Sequence, residues 1–169
     1  MKRLLLFLLC LGLLSCSRKS ERELLTEAKA AVGQKNFQVA IERYAEVVDR
    51  FRTSPAAETS QYAIAVIYNN DLHDHLNAVK SYQRFFTLFP QSNEAPVAMF
   101  LTGFLFNNEL HRLDSARAAY ELFLQTYPNH TLASSAKFEL ETLGKDPGQY
   151  LHEGVTAADA MKEKKTTKQ

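Results

Sequence analysis

Few residues in this chain have types and spacing suited to chemistry. His73-Asp74-His75 places two imidazoles and a carboxylate within one turn, the residue types of a metal site. A zinc site needs a third or fourth ligand in position, and no further His or Cys stands close by. His111 repeats His73 much later in the chain, and His130 and His152 are isolated. The cluster therefore reads as a solvated turn. No Gly-rich phosphate loop, HExxH helix or GxSxG elbow occurs, and no nucleophile is paired with a base. The chain is expected to be non-enzymatic, with no cofactor and no metal. What remains is a set of amides and apolar side chains at matching spacings: Tyr62, Val66, Asn69 and Asn70, then Phe100, Phe104, Asn107 and Asn108.

Those residues are positioned by a repeat. Asn69-Asn70-Asp71-Leu72-His73 returns as Asn107-Asn108-Glu109-Leu110-His111, an offset of 38. The same offset links Ala40, Ala78 and Ala116, then Tyr44, Tyr82 and Tyr120, then Phe51, Phe89 and Tyr127, and finally Ala57, Ala95 and Ala133. A fixed period of this length marks stacked supersecondary units, none able to bury its apolar face alone. Within the units the apolar pattern is helical. Leu24, Leu25, Ala28, Ala31 and Val32 share one stripe, and Ala40, Ile41, Tyr44, Val47, Val48 and Phe51 share another. Gly33 and Asn36 separate these stripes, while Asn69 to Asp74 and Asn107 to Leu113 break the later pairs. Pro55, Pro90, Pro96, Pro128 and Pro147 fall outside helix interiors or near helix starts. The spacing predicts an all-α chain of antiparallel helix pairs.

In the third unit, Gly103 and Phe106 precede Ala116, Tyr120 and Pro128. In the second, Ala65 and Tyr68 precede Ala78, Tyr82 and Pro90. The first unit offers Ala28, Ala31, Ala40 and Tyr44. This pattern resembles the tetratricopeptide repeat. The resemblance implies a right-handed solenoid of about three and a half repeats over residues 24–144. The longer turns, Phe89-Pro90-Gln91-Ser92 and Tyr127-Pro128-Asn129-His130, are similar to those of envelope members. Among these are the BamD-like outer-membrane assembly lipoproteins and the C-terminal domain of the Tol-Pal coordinator. Leu132 to Leu143 repeats the first half of a unit, and a further helix over Gln149 to Lys162 would cap the array.

By the same resemblance, the first helix of each pair lines a concave face. The eight residues Tyr62, Val66, Asn69, Asn70, Phe100, Phe104, Asn107 and Asn108 fall at positions that meet bound peptides, as do Thr59 and Val97. Chaperone-binding members use basic residues there to clamp a carboxylate. This chain has Tyr62 and Phe100 instead, so a carboxylate clamp is not expected. A second reading stands beside each group. The aromatics also suit packing between neighbouring helices, and asparagine ends helices because it tolerates the left-handed conformation.

At the N-terminus, Lys2 and Arg3 precede an apolar run from Leu4 to Leu14. About 11 residues are too few to cross a ~30 Å hydrocarbon core, and fit a secretory signal peptide instead. Leu13-Leu14-Ser15-Cys16 resembles the lipobox of bacterial lipoproteins. That implies a signal peptide over 1–15, a diacylglycerol on the Cys16 thiol, and a polar tether over 16–23. Two or three acyl chains make a firm membrane anchor where one is marginal. With Cys10 removed and Cys16 lipidated, the mature chain holds no disulfide. Ser17 follows the cysteine in place of an inner-membrane retention Asp, which by resemblance implies the outer membrane.

Charge excludes one class. Without Lys2 and Arg3, the 20 basic and 19 acidic residues become 18 and 19, too balanced for a nucleic-acid binder. Lys162, Lys164, Lys165 and Lys168 cluster in a C-terminal tail, within a cap-and-tail region over 145–169. The expected protein is a lipid-anchored periplasmic scaffold. It would bind envelope proteins or peptides through its concave face and the membrane through Cys16, with outer-membrane protein assembly as its process. The alternatives are a cell-wall or division coordinator of the Tol-Pal kind, and a small-ligand or metal-binding accessory lipoprotein.

Overall fold

The computed structural model describes residues 18–145. The predicted signal peptide, Cys16, and the capping helix and basic tail beyond residue 145 lie outside the described residues. Those described form seven α-helices and one π-helical segment, with no strand. They are α1 (Glu21–Gly33), α2 (Phe37–Arg50), α3 (Pro55–Val66) running on into the π segment (Ile67–Asp71), α4 (His75–Leu88), α5 (Ala95–Asn108), α6 (Leu113–Thr126) and α7 (Ala133–Thr142). The chain is all-α and tetratricopeptide-like, as its period predicts. The odd-numbered helices are the A helices of the repeat and the even-numbered ones its B helices. Contacts divide the chain into two compact units, with the boundary at Ser60 and Gln61 inside α3.

In the first unit, α1 starts at Glu21, within the stretch predicted as tether. The reason is a capping box. Ser20 Oγ accepts from Glu23 N at 3.3 Å, while Ser20 N donates to Glu23 Oε2 at 2.7 Å. Two orphan N–H groups are thereby satisfied before the first apolar residue arrives. Leu24, Ala28 and Ala31 of α1 and Ala40, Ile41, Tyr44, Val47 and Val48 of α2 form the buried faces of this packed pair. Arg43 ties the helices at their edge, with Nε 3.1 Å from Glu27 and Nη1 3.3 Å from Glu46.

The second unit holds two adjoining cores. One gathers Ala65, Ala78, Val79, Tyr82, Phe85, Ala95, Ala98 and Leu105. The other gathers Met99, Ala116, Tyr120, Phe123, Ala133, Ala136 and Leu143. Helix α5 contributes to both, which explains why its sequence is apolar around most of its circumference. Ala40, Ala78 and Ala116 all have zero exposure on successive B helices, so the 38-residue register is a register of environments as well as letters.

Hydrogen bonds repeat with the same period. Phe51, Phe89 and Tyr127 end the three B helices, and their carbonyls accept from Ser54, Ser92 and His130 at 2.8–3.1 Å. The carbonyls of those three residues then accept from Ala57, Ala95 and Ala133. Between A and B helices, the left-handed backbone falls on Lys35, His73 and His111, with φ of 57, 50 and 52°. This corrects the expectation that the paired asparagines take that conformation. Asn69 and Asn70 lie within the π segment, and Asn107 and Asn108 are the last residues of α5.

The first turn is one residue tighter than the others. Asn36 N reaches Ala31 O, five residues back, and Lys35 N reaches Val32 O, which closes a Schellman motif. In the later turns Asp74 N reaches Tyr68 O and Arg112 N reaches Phe106 O, each six residues back. The extra residue accounts for the offset of 37, rather than 38, between Ala28 and Ala65. In the second turn it is absorbed as the π segment.

Three substitutions test this packing and these turns. A Cβ on Gly103 would stand 2.7 Å from Cε1 and 2.8 Å from Cδ1 of the fully buried Tyr120 ring. Gly103→Ala should destabilise despite better helix propensity, since overpacking costs about 1–3 kcal/mol against a helix gain of about 1. Lys35→Gly and His111→Gly should each stabilise by about 1 kcal/mol, because a left-handed non-glycine residue is strained by about 1–2. Urea unfolding of the variants checks both directions.

Candidate functional site

The candidate site is assembled from A helices of the second unit. Tyr62 and Phe100, one register apart, do equivalent work. Tyr62 meets Tyr82 and Phe85 with centroids at 5.7 and 5.1 Å, and Phe100 meets Tyr120 and Phe123 at 5.6 and 5.9 Å. Each ring thus spans from an A helix to the following B helix and stays half-buried. Burial, and after it the Glu94 carboxylate, raises the Tyr62 phenol above its ordinary range. Burial is also the main cause holding the Tyr82 and Tyr120 phenols high, so all three stay neutral.

Beyond Tyr62 and Phe100 the two registers diverge. Asn69, Asn70 and Phe104 converge on an open pocket of about 430 Å³. His73, His75, Leu101, Leu105 and Glu109 complete its wall. Val66, half-buried one helical turn beyond Tyr62, does not line it. Asn107 points its amide elsewhere, donating to Glu139 Oε2 of α7 at 3.2 Å. Asn108 donates back to Phe104 O at 3.1 Å and so closes the end of α5. Three of the eight expected groove residues therefore share the pocket.

A polar chain crosses the pocket. Asn69 Nδ2 donates to Asn70 Oδ1 at 2.7 Å, and Asn69 Oδ1 lies 3.3 Å from His75 Nδ1. His75 Nε2 lies 3.5 Å from Glu109 Oε2. The imidazole, as first residue of α4, thus bridges the π segment and the end of α5. Leu101, Phe104 and Leu105 supply the apolar part of the lining, with Phe104 38% exposed. Carboxylate, amides and an accessible ring on rigid helices suit binding of a chain segment. Among the described residues no three His, Cys, Asp or Glu side chains gather as metal ligands.

The three residues of the His73-Asp74-His75 cluster have separate tasks. His73 carries the left-handed turn. Asp74 caps α4, accepting from Asn77 N at 3.1 Å and Asn77 Nδ2 at 2.7 Å. These hydrogen bonds, the backbone one foremost, hold the Asp74 carboxyl below its usual range. Sequence reasoning did not bring His75, Leu101, Leu105 and Glu109 together as one site. Glu109 had a signal, since it stands at the register of Asp71, and Leu101 lies one helical turn before Phe104.

Paired helices and small-on-aromatic contacts define a tetratricopeptide-like fold. The chain matches the YfiO family, described as an outer membrane lipoprotein, over residues 17–150. It belongs to that family, a BamD-like outer-membrane lipoprotein. No curated protein matches the chain.

Removing the Asp74 cap tests the base of the site. Asp74→Ala should cost about 1 kcal/mol at neutral pH. Its folded pKa is depressed, so the wild-type advantage is complete above about pH 4 and fades as pH falls through the lower folded value. Urea midpoints of wild type and variant should converge in acid.

Proposed function

We propose that this protein is a lipid-anchored scaffold on the periplasmic side of the outer membrane, acting in outer-membrane protein assembly. It holds a segment of another envelope protein against its A-helix face. The observation that carries this reading is the pocket where Asn69, Asn70 and Phe104 meet Glu109, two register-related helix ends presenting one binding surface. Family membership supports the location and the assembly process. Cys16 is the proposed anchor. Among the described residues no helix is long and apolar enough to cross a membrane.

In this reading the protein performs no chemistry. Affinity comes from burying an apolar side chain against Leu101 and Phe104, while Asn69 and Asn70 satisfy the backbone of the bound segment. Rigid helices hold these groups ready, which lowers the ordering cost of association.

A photoreactive residue at position 104, introduced in intact cells, should crosslink one discrete envelope protein. The same residue at Leu122, exposed on α6, should not capture that protein. Deletion of the protein should lower outer-membrane protein levels. Equal capture at both positions, or an unchanged envelope after deletion, would overturn the proposal.

A further inference from the structure

No lysine or arginine lines the docking pocket, whose ionisable groups are His73, His75 and Glu109. No lysine or arginine occurs from Gln61 to Asp71 or from Ala95 to Glu109, the A-helix segments that bear the pocket. Their ionisable groups, tyrosines aside, are Asp71 and Glu109, and Glu94 stands at the N-cap of α5. The lysines and arginines nearest in sequence lie on B helices, with Lys80 and Arg84 on α4 and Arg117 on α6, and Lys137 stands on α7. Arg112 caps α6 and does not line the pocket. Glu109 lies in the wall with 43% of its side chain exposed, so a ligand can reach it. Glu94, at the other end of α5, does not line the pocket, though its charge adds to burial in raising the Tyr62 phenol.

We infer that the segment held by this face is apolar at its centre and carries lysine or arginine on its flanks. This rests on the docking role proposed for the face and adds the chemistry of the partner. Glu94 and Glu109 bracket α5, whose length at 1.5 Å per residue separates them by about 22 Å. An extended chain covers that span in about seven residues at 3.3 Å each. A central aliphatic or aromatic side chain enters beside Phe104, and one flanking cation pairs with Glu109. Acidic segments are disfavoured, since Glu109 repels them and, beyond the imidazoles of His73 and His75, no lysine or arginine lines the pocket to attract them.

The test uses the full-length protein in detergent micelles and two labelled nonapeptides, acetylated and amidated, each with a Leu-Phe-Leu centre. One has lysine at both ends and its twin has glutamate. Fluorescence anisotropy should show the lysine peptide binding about fivefold to tenfold tighter at low salt. The gap should close at about 1 M salt, where the screening length is about 3 Å. Glu109→Gln combined with Glu94→Gln should erase the preference, while Phe104→Ala weakens both peptides. If both peptides bind equally and Phe104→Ala weakens both, the charge inference is wrong and the docking face stands. If neither peptide binds, or Phe104→Ala changes nothing, the docking face itself fails and takes this inference with it.

Discussion

The spacing between paired helices depends on a small residue of one helix meeting an aromatic ring of the next. Gly103 lies so close to the Tyr120 ring that even a methyl group has no room. That contact lets the backbones approach, and close approach lets Ala98, Ala116 and Ala136 become fully buried instead of leaving gaps. Phe100 packs against the same ring, with centroids 5.6 Å apart. The position of the exposed pocket wall follows from this chain of contacts, because Phe104 sits one turn beyond Phe100 on the same helix.

The turns are the second element of the design. Each B helix ends in one hydrogen-bond pattern, and each A helix ends near a left-handed residue. Such recurrence delivers equivalent residues to equivalent places, which is why Asn69 and Asn107 occupy matching helix ends. Their fates differ because their neighbours differ. His75 stands beside Asn69, whereas the same register further on is Leu113 and offers no polar group. Asn107 instead finds Glu139 on α7.

Much of the architecture was legible in the letters because burial imposes the period directly. Ala40, Ala78 and Ala116 must be small where helices meet, and Tyr44, Tyr82 and Tyr120 must fill the space beside them. The site was legible only in part. A one-sequence pattern assigns residues to a face, yet it does not say which rings turn inward. Tyr62 and Phe100 pack on B-helix rings, and Asn108 bonds its own helix. Glu109 and Leu101 were harder to see, because their approach to Asn69 depends on the packing of α5 against α4. The left-handed residues were missed for another reason. Lysine carries no strong preference for that conformation, and the histidines stand near asparagines that tolerate it equally well, so the hydrogen bonds around them decide which residue takes it.

One consequence follows from the place of α5. It serves as a common wall for two hydrophobic clusters, giving Ala95, Ala98 and Leu105 to one and Met99 to the other. Neither cluster can loosen at that wall without disturbing its neighbour, so opening there is a joint event. The helix presenting Phe104 is therefore held by cooperativity across both layers. The surface around Phe104 inherits a rigidity that its own half-exposed residues do not supply.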